Sequence, residues 1–319
     1  MTEPSSPSGE TLGRAALVEA ARQSIARGSK SFGLASTLFD RATRERAWLL
    51  YAWCRACDDL ADGQEMGHGM QVVADPAARL ATIRERTALA LAGKPTGDPA
   101  FDGFGVVVRE CAIPGQLAND LIAGFALDAE GWRPRSENDL YQYCYHVAGV
   151  VGVMMALVMG VSPDDEATLD RACDLGMAFQ LANIARDICE DAAAGRCYLP
   201  VEWLIEMDIP PGEHIKPAYR QRLAVLAQRL AKHAAEFEAS ARFGTAALSF
   251  RAAWAVLAAA GIYGDIAREV AKAGEHAWDH RVTTSKAAKV GWVGKSFLQA
   301  LTRRGASDRS PKLWTRPRA

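Results

Sequence analysis

The chain has 319 residues, of which 49% are hydrophobic and 24% are charged, and its formal net charge is −1. This composition is that of an ordinary globular protein, and the near-neutral charge gives no reason to expect nucleic acid as a partner. Seven cysteines, an odd number scattered through helix-like segments, favour reduced thiols over a disulfide framework.

Helical segments follow one another along the chain, and no segment alternates with the period of two that is typical of a strand. Residues 1–13 are polar and rich in Pro and Ser, so they are expected to form a disordered lead. Because no linker divides the rest, the sequence predicts one all-α domain over 14–303, followed by a basic tail at 304–319. Its helices are predicted at 14–28, 42–62, 76–93, 99–111, 115–129, 137–160, 164–191, 217–241, 245–275 and 284–303.

The longest uncharged apolar run is Val147–Val161. It is short for a membrane span and three glycines interrupt it, so it is expected to be a central helix of a bundle. We therefore expect a soluble or peripheral protein, located in the cytoplasm or at the inner face of the membrane.

The first segment with chemical content is the run from Gly28 to Phe32. Ser29, Lys30 and Ser31 lie next to a predicted helix break and could bind an anion through backbone N–H groups and side chains. A helix cap is the alternative explanation for the same residues.

Two predicted helices each place a D-x-x-x-D pair on one polar stripe of an otherwise apolar helix. At about 100° per residue, one stripe of the helix 42–62 holds Tyr51, Arg55, Asp58 and Asp62. The corresponding stripe of the segment 176–191 holds Gln180, Asn183, Asp187 and Asp191. One such pair could simply face water. Two pairs with polar companions in register favour inward-facing carboxylates, which need cationic partners or a metal.

Oxygen donors without His or Cys at ligand spacing indicate a hard cation, of which Mg²⁺ is the commonest. Mg²⁺ keeps several waters and bridges carboxylates to substrate phosphates, whereas four acids alone would repel an anionic substrate. Arg55, Arg186 and Lys30 are then available for phosphate oxygens. The sequence therefore predicts a diphosphate held between two helices across the core of a bundle.

The segment from Tyr141 to Gly152 supplies an apolar region. Gly149 and Gly152 could leave room beside a long apolar ligand, or they could serve close packing between helices. His146 is expected to be a core histidine with a hydrogen-bond partner rather than a catalyst.

Four segments together resemble a known family. They are Ser29–Phe32; Tyr51–Arg55 with Asp58, Asp59 and Asp62; Tyr143–Gly149; and Gln180–Asp191 running into Gly195–Pro200. In the same order along residues 15–300, the sequence is similar to the head-to-head isoprenyl diphosphate synthases, the squalene and phytoene synthases. The run Gly195–Pro200 in particular resembles the bacterial members that make phytoene.

The resemblance implies an isoprenoid synthase fold, a single helical bundle around a central cavity. It also implies the condensation of two geranylgeranyl diphosphates through prephytoene diphosphate to phytoene, the first committed step of carotenoid biosynthesis. By this resemblance Mg²⁺, with Mn²⁺ as an alternative, is held by Asp58, Asp62, Asn183, Asp187 and Asp191. The same resemblance implies that Ser29, Ser31, Arg55 and Arg186 contact the diphosphates and that Gln180 helps the metal-holding aspartates. It also implies that Tyr143 and Tyr263 line the cavity, and the full set of further substrate-binding positions is Phe32, Tyr143, Val147, Ala148, Gly152, Gln180 and Tyr263.

Other functions stay open at this point. A squalene or dehydrosqualene synthase that uses farnesyl diphosphate is the alternative within the family. NADPH is not expected, because the resemblance is to the members that make phytoene. The run Gly103–Gly105 lacks the third glycine and the preceding strand of a dinucleotide site, but squalene-forming relatives that use NADPH lack such a motif too, so this absence decides little. A di-iron bundle would need Glu-x-x-His pairs, which this sequence lacks. A zinc peptidase would rest on His276 and His280 alone. A helical scaffold without enzymatic activity would need none of the aspartates.

The expected partners are the diphosphate substrate, other carotenoid-pathway enzymes and a membrane surface. The basic C-terminal segment is the predicted membrane contact, through Arg303, Arg304, Arg309, Lys312, Trp314, Arg316 and Arg318.

Overall fold

The computed structural model describes residues 12–28, 30–63, 75–303 and 308–318, with residues 30 and 31 described by their backbone alone. These ranges contain thirteen α-helices and no strand, so the predicted all-α class is confirmed. Most of the predicted disordered lead and the start of the basic tail lie outside the described residues. The helices are α1 Arg14–Gly28, α2 Lys30–Ser36, α3 Arg41–Asp62, α4 Pro76–Leu91, α5 Pro99–Cys111, α6 Gly115–Ala129, α7 Glu137–Cys144, α8 Val150–Val158, α9 Glu166–Ala193, α10 Val201–Glu206, α11 Arg220–Gly244, α12 Phe250–Ala273 and α13 Lys286–Thr302.

The long helices lie within a few residues of their predicted positions, whereas short helices and one distortion were not predicted. The helices α2 and α10 have seven and six residues, too few to show an amphipathic period. The helix predicted at 137–160 is interrupted by a π-helical turn at Tyr145–Gly149, which separates α7 from α8. Such turns often occur at functional sites.

The first aspartate helix, α3, has a defined start, end and buried face. Asp40 caps its N-terminus by accepting a 3.0 Å hydrogen bond from the Thr43 backbone N–H, and Gly63 ends it in the left-handed conformation (φ 62°). Trp53 is fully buried on its inner face and stacks on Phe104. This packing fixes the rotation of α3 and leaves its polar stripe on the opposite side.

The second aspartate helix, α9, lies against the π-helical turn and α8 at a very short distance. A Cβ atom on Gly152 would lie 2.2 Å from the Ala172 carbonyl oxygen. A Cβ on Gly176 would lie 2.2 Å from the Ala148 carbonyl oxygen. Real side chains do not tolerate such distances. Close helix packing, one of the two explanations considered for Gly149 and Gly152, therefore holds for Gly152.

The described part of the basic C-terminal segment is packed on the domain, which corrects the expectation of a separate tail. Arg309 donates to both carboxylate oxygens of Asp174, at 2.6 and 2.9 Å, and Asp174 is almost fully buried. Arg316 and Arg318 both pair with Asp170, at 3.0 and 2.6 Å. Three of the predicted membrane-contacting arginines are thus neutralised by carboxylates of α9.

One segment among the described residues, Glu137–Val158, is long and apolar enough to cross a membrane by length and composition. Its most apolar window is 56% buried inside the protein, as expected for a core helix. Its His146 ring nitrogen Nδ1 lies 2.8 Å from the Asp120 carbonyl oxygen, so this histidine has the predicted hydrogen-bond partner. All seven cysteines are free thiols.

Candidate active site

A cavity of about 590 Å³ lies between α2, α3, α8, α9 and α12. Its size is that of a small-molecule binding site. The structure brings most of the predicted site residues to its wall: Phe32, Arg55, Asp58, Val147, Ala148, Gly152, Gln180, Asn183, Arg186 and Tyr263. Ser29 lies outside the described residues, and no side-chain contact is described for Ser31.

The first aspartate pair stands at the C-terminal end of α3, each carboxylate beside an arginine. Asp58 lies 3.3 Å from Arg55, and Asp62 accepts a 2.6 Å hydrogen bond from Arg196. The Asp58 side chain is 44% exposed, but it opens into the cavity, where surrounding protein removes most of the bulk water. Burial raises the pKa of Asp58 to about 7; Arg55 lowers it, and the neighbouring carboxylates raise it.

The second aspartate pair stands on α9 and is also arranged around arginines. Arg186 donates to Asp187 at 2.7 Å, and Arg281 approaches the same carboxylate at 3.1 Å. Burial raises the pKa of Asp191 to about 7, and the charge of Asp187 raises it further. Asp58 and Asp191 therefore stand where burial disfavours a negative charge, and a bound cation would relieve that cost.

Asp128, on α6, is a third acidic element that was not predicted. Tyr143 and Tyr198 donate hydrogen bonds to its two carboxylate oxygens, at 3.0 and 2.8 Å. Burial raises the pKa of Asp128, and its charge in turn raises the pKa values of Asp58 and Asp191. It thus links the two aspartate pairs electrostatically. No periodic pattern in α6 distinguishes this carboxylate, so only the tertiary structure could find it.

The expectation that Tyr143 lines the cavity is corrected by the structure. Its ring stacks on Tyr198 with 4.7 Å between centroids, its hydroxyl is engaged by Asp128, and it is absent from the cavity wall. Tyr143 therefore supports the acidic cluster from behind. Tyr51, on the same stripe as Arg55, takes a place on the wall that had not been assigned to it.

Aromatic rings flank the polar part of the cavity in two stacked pairs. Phe32 and Tyr51 stack with 5.4 Å between centroids, and Phe179 and Tyr263 with 4.3 Å. All four residues belong to the cavity wall. Their π faces could stabilise a carbocation that water would otherwise quench.

The rest of the wall is mostly apolar and extends far from the carboxylates. Along α9 the lining residues run from Thr168 to Arg186, about 27 Å at 1.5 Å per residue. The polar end holds Arg55, Asp58, Gln180, Asn183 and Arg186, whereas the remaining wall has Thr168, Arg171 and Thr245 among mostly apolar residues such as Phe39, Leu50, Phe125, Met155, Met159 and Leu248. The cavity therefore suits an amphiphile with an anionic head and a long hydrocarbon chain.

In the part of the chain that the structure describes, no three Asp, Glu, His or Cys side chains converge closely enough to hold a metal ion unaided. Mg²⁺ does not need such a cage, because it binds through one or two carboxylates and completes its shell with waters and substrate phosphates. Asp58 shares the cavity wall with Asn183 and Gln180, and all three are hard oxygen donors of the kind that Mg²⁺ selects. The donor set fits Mg²⁺ bound together with a diphosphate.

Comparisons with known proteins agree with one another. The family model "Squalene/phytoene synthase" matches residues 25–288. A 15-cis-phytoene synthase from Pantoea ananas is 44% identical over 305 residues, covering 94% of this chain and 98% of that protein. One from a Paracoccus species is 44% identical, with the same 94% and 98% coverage.

Solved structures agree in fold. A crystal structure of a dehydrosqualene synthase in complex with ligand has a TM-score of 0.81 at 26% identity, covering 91% of this chain and 98% of that one. A squalene synthase from Alicyclobacillus acidocaldarius has a TM-score of 0.71 at 22% identity, covering 82% of this chain and 95% of that one, and shows likeness in fold alone.

Proposed function

The chain belongs to the squalene/phytoene synthase family, and on that premise we propose that it condenses two geranylgeranyl diphosphates head to head into phytoene. Membership also confirms the predicted isoprenoid synthase fold and the prenyltransferase type of activity. The observation that carries the proposal is one cavity that has Asp58, Asn183 and Arg186 on its wall at one end and a mostly apolar wall beyond them. The choice of phytoene is supported by the 44% identity to enzymes of that name.

The proposed metal is Mg²⁺, with Mn²⁺ as an alternative, held by Asp58, Asp62, Asp187 and Asp191 with Asn183. When bound, it supplies the positive charge that lets anionic diphosphates approach these carboxylates and depart from their carbon atoms. Arg55 and Arg186 would release part of their pairing with the aspartates and hold phosphate oxygens instead. No NADPH is expected.

In the first half-reaction, the allylic C–O bond of one substrate breaks and its diphosphate leaves with the electron pair. The double bond of the second substrate attacks the resulting cation and loses a proton, which gives the cyclopropyl compound prephytoene diphosphate. The second diphosphate then leaves, the carbon skeleton rearranges, and loss of a second proton gives phytoene. The chain's part is to hold both head groups, to exclude water, and to face the cations with the rings of Phe32, Tyr51, Phe179 and Tyr263.

Product analysis tests this function. The purified protein is incubated with geranylgeranyl or farnesyl diphosphate and Mg²⁺, with and without NADPH, and the products are identified by mass spectrometry. We expect phytoene from geranylgeranyl diphosphate without NADPH. A squalene product that requires farnesyl diphosphate and NADPH, or dehydrosqualene as the main product, would contradict the proposal.

The cellular setting is proposed on chemical grounds. A substrate with a long hydrocarbon chain and a wholly apolar product favour a cytoplasmic protein that works at the inner face of the membrane. Contact with other carotenoid-pathway enzymes stays a prediction.

A further inference from the structure

The end of the cavity that lies far from the aspartates carries polar residues that the proposed reaction does not use. Thr168 and Arg171 belong to its wall and stand on the first two turns of α9, and Thr245 follows the end of α11. Arg171 is only 5% exposed. A guanidinium group is costly to bury in a mostly apolar wall unless it is hydrogen-bonded, so its presence there calls for an explanation.

Contacts with α11 fix the position of Arg171. Its Nη1 donates a 2.9 Å hydrogen bond to the Ser240 carbonyl oxygen and lies 3.3 Å from the Ser240 hydroxyl oxygen. Its guanidinium carbon lies 5.6 Å from the ring centre of Phe243. A Cβ atom on Gly244 would lie 2.7 Å from the Cβ of Arg171, so the glycine leaves room for the arginine stem. The guanidinium group is therefore a fixed part of this end of the cavity.

The distance between Arg186 and Arg171 suits a hydrocarbon chain of twenty carbons. Both residues belong to the cavity wall and lie fifteen residues apart on α9, which is about 22 Å at 1.5 Å per residue. Both side chains tilt toward the N-terminus of the helix, so their ends keep this separation.

An extended chain advances about 1.2 Å per bond, so the fifteen bonds of the geranylgeranyl main chain need about 18 Å. A geranylfarnesyl chain, with 25 carbons, has four more bonds and needs about 23 Å. With its diphosphate held at Arg186, the longer chain would reach the guanidinium group of Arg171, whereas the shorter chain would end before it.

We propose that Arg171 closes the apolar end of the cavity and limits the hydrocarbon chain of the substrate to twenty carbons. That the substrate is a prenyl diphosphate of this length rests on the proposed function, whereas the limit rests on the position and charge of Arg171. A longer chain would have to displace the guanidinium group from Ser240 or press against it. Both cost free energy, because hydrocarbon cannot replace a lost hydrogen-bond partner. Arg171 is thus a specificity-determining residue that takes no part in the chemistry.

Binding of inert substrate analogues tests this limit. In geranylgeranyl and geranylfarnesyl S-thiolodiphosphate, sulfur replaces the oxygen between carbon and phosphorus, so the diphosphate stays attached. Calorimetry in the presence of Mg²⁺ measures the Kd of each analogue for the wild type, Arg171→Lys and Arg171→Ala. We expect the wild type and Arg171→Lys, which both keep a cation, to bind the 25-carbon analogue at least about tenfold more weakly than the 20-carbon analogue. Arg171→Ala removes the charge and opens space, so its two Kd values should lie within about threefold of each other.

Arg268→Ala is the matched control, because Arg268 is a partly buried arginine of α12 that does not belong to the wall of this cavity. It should keep the wild-type preference for the 20-carbon analogue. Circular dichroism and thermal unfolding check that each variant is folded. If Arg171→Ala does not fold, Arg171→Met carries the test, because it keeps most of the side-chain volume without the charge and should also lose the preference.

Three results would overturn the proposal. The first is equal binding of the two analogues by the wild type. The second is an unchanged preference in a folded Arg171→Ala or Arg171→Met. The third is a preference lost as completely in Arg171→Lys as in Arg171→Ala, since a cation would then not set the limit.

Product analysis with the natural diphosphates separates this proposal from the proposed function. Phytoene formation together with a preference that depends on Arg171 supports both. A wild type that makes no phytoene, but whose preference for the 20-carbon analogue is lost in Arg171→Ala, would overturn the proposed function alone. A wild type that makes phytoene but binds both analogues equally would overturn this proposal alone.

Discussion

Replacing Arg309 by glutamine tests whether the C-terminal segment is part of the folded domain. Arg309 donates to both oxygens of Asp174, whose side chain is only 1% exposed. Ser240 donates the third hydrogen bond to this carboxylate, at 2.5 Å. The substitution therefore removes the guanidinium charge and leaves a buried carboxylate with one strong donor.

Breaking a buried ion pair from one side costs about 3–5 kcal/mol. Ser240 remains, glutamine can donate one hydrogen bond, and Arg309 is itself 16% exposed. We therefore expect the free energy of unfolding to fall by about 2–3 kcal/mol at pH 7. This loss lowers the Tm by about 4–6 °C, at roughly 2 °C per kcal/mol for a chain of this size.

The loss should depend on pH with a definite sign. Burial raises the pKa of Asp174 above its ordinary value, while Arg309 and Ser240 hold it down. Without Arg309 the folded-state pKa rises further above the unfolded value, so the folded variant takes up a proton at higher pH. The loss is therefore full at pH values above the variant's folded-state pKa and shrinks as the pH falls through it.

Urea unfolding of the wild type and variant between pH 5 and pH 8 measures this loss. Arg318→Gln is the matched control, because Arg318 is 48% exposed and Asp170 keeps Arg316 as a partner. We expect the control to lose about 1 kcal/mol or less. Equal losses in the two variants, or a loss in Arg309→Gln that grows toward acid pH, would refute the reasoning.

Three further substitutions and one control test the site and its supports. Asp58→Asn should lower the rate of phytoene formation by a factor of about 10³, because it removes a charged group that is proposed to hold the metal. The Tm should not fall, because burial already disfavours the charge of this carboxylate. A rate within tenfold of the wild type would contradict this role. Tyr143→Phe should lower the free energy of urea unfolding by about 1–2 kcal/mol through the lost hydrogen bond to Asp128, and an unchanged value would contradict the assigned contact. Gly176→Ala should lower the free energy of unfolding by about 3 kcal/mol or more, because the added Cβ would lie 2.2 Å from a main-chain carbonyl oxygen. Gly291→Ala is the control, because no atom lies within 4 Å of the added carbon, and its free energy of unfolding should stay unchanged or rise by about 1 kcal/mol. Equal losses in the two variants would contradict the close packing around Gly176.

Helical periodicity is the reason why much of this site could be predicted from the sequence. A stripe of polar residues on α3 and α9 has a fixed angular position once each helix forms, and the apolar faces determine which way it points. Asp58, Gln180 and Asn183, which belong to these two stripes, therefore lie on the wall of one cavity. The long helices were predictable for the same reason.

Contacts between distant segments had no comparable signal. Asp128 and Arg281 reach the acidic cluster from α6 and from the segment before α13, and neither belongs to a periodic stripe. The ion pairs of the basic tail, which was predicted to contact a membrane, had no signal in the sequence because its acidic partners lie more than 130 residues earlier in the chain. Tyr143 was assigned to the cavity from resemblance alone, and its orientation depends on the stacking with Tyr198.

The central claim is a head-to-head condensation in which both substrates lose their diphosphate in one cavity. Its most direct test measures inorganic diphosphate and phytoene in the same reaction, with purified protein, geranylgeranyl diphosphate and Mg²⁺. The account predicts two diphosphates released for each phytoene formed, and neither product after chelation of the metal. One diphosphate for each coupled product, or diphosphate release without phytoene, would contradict it.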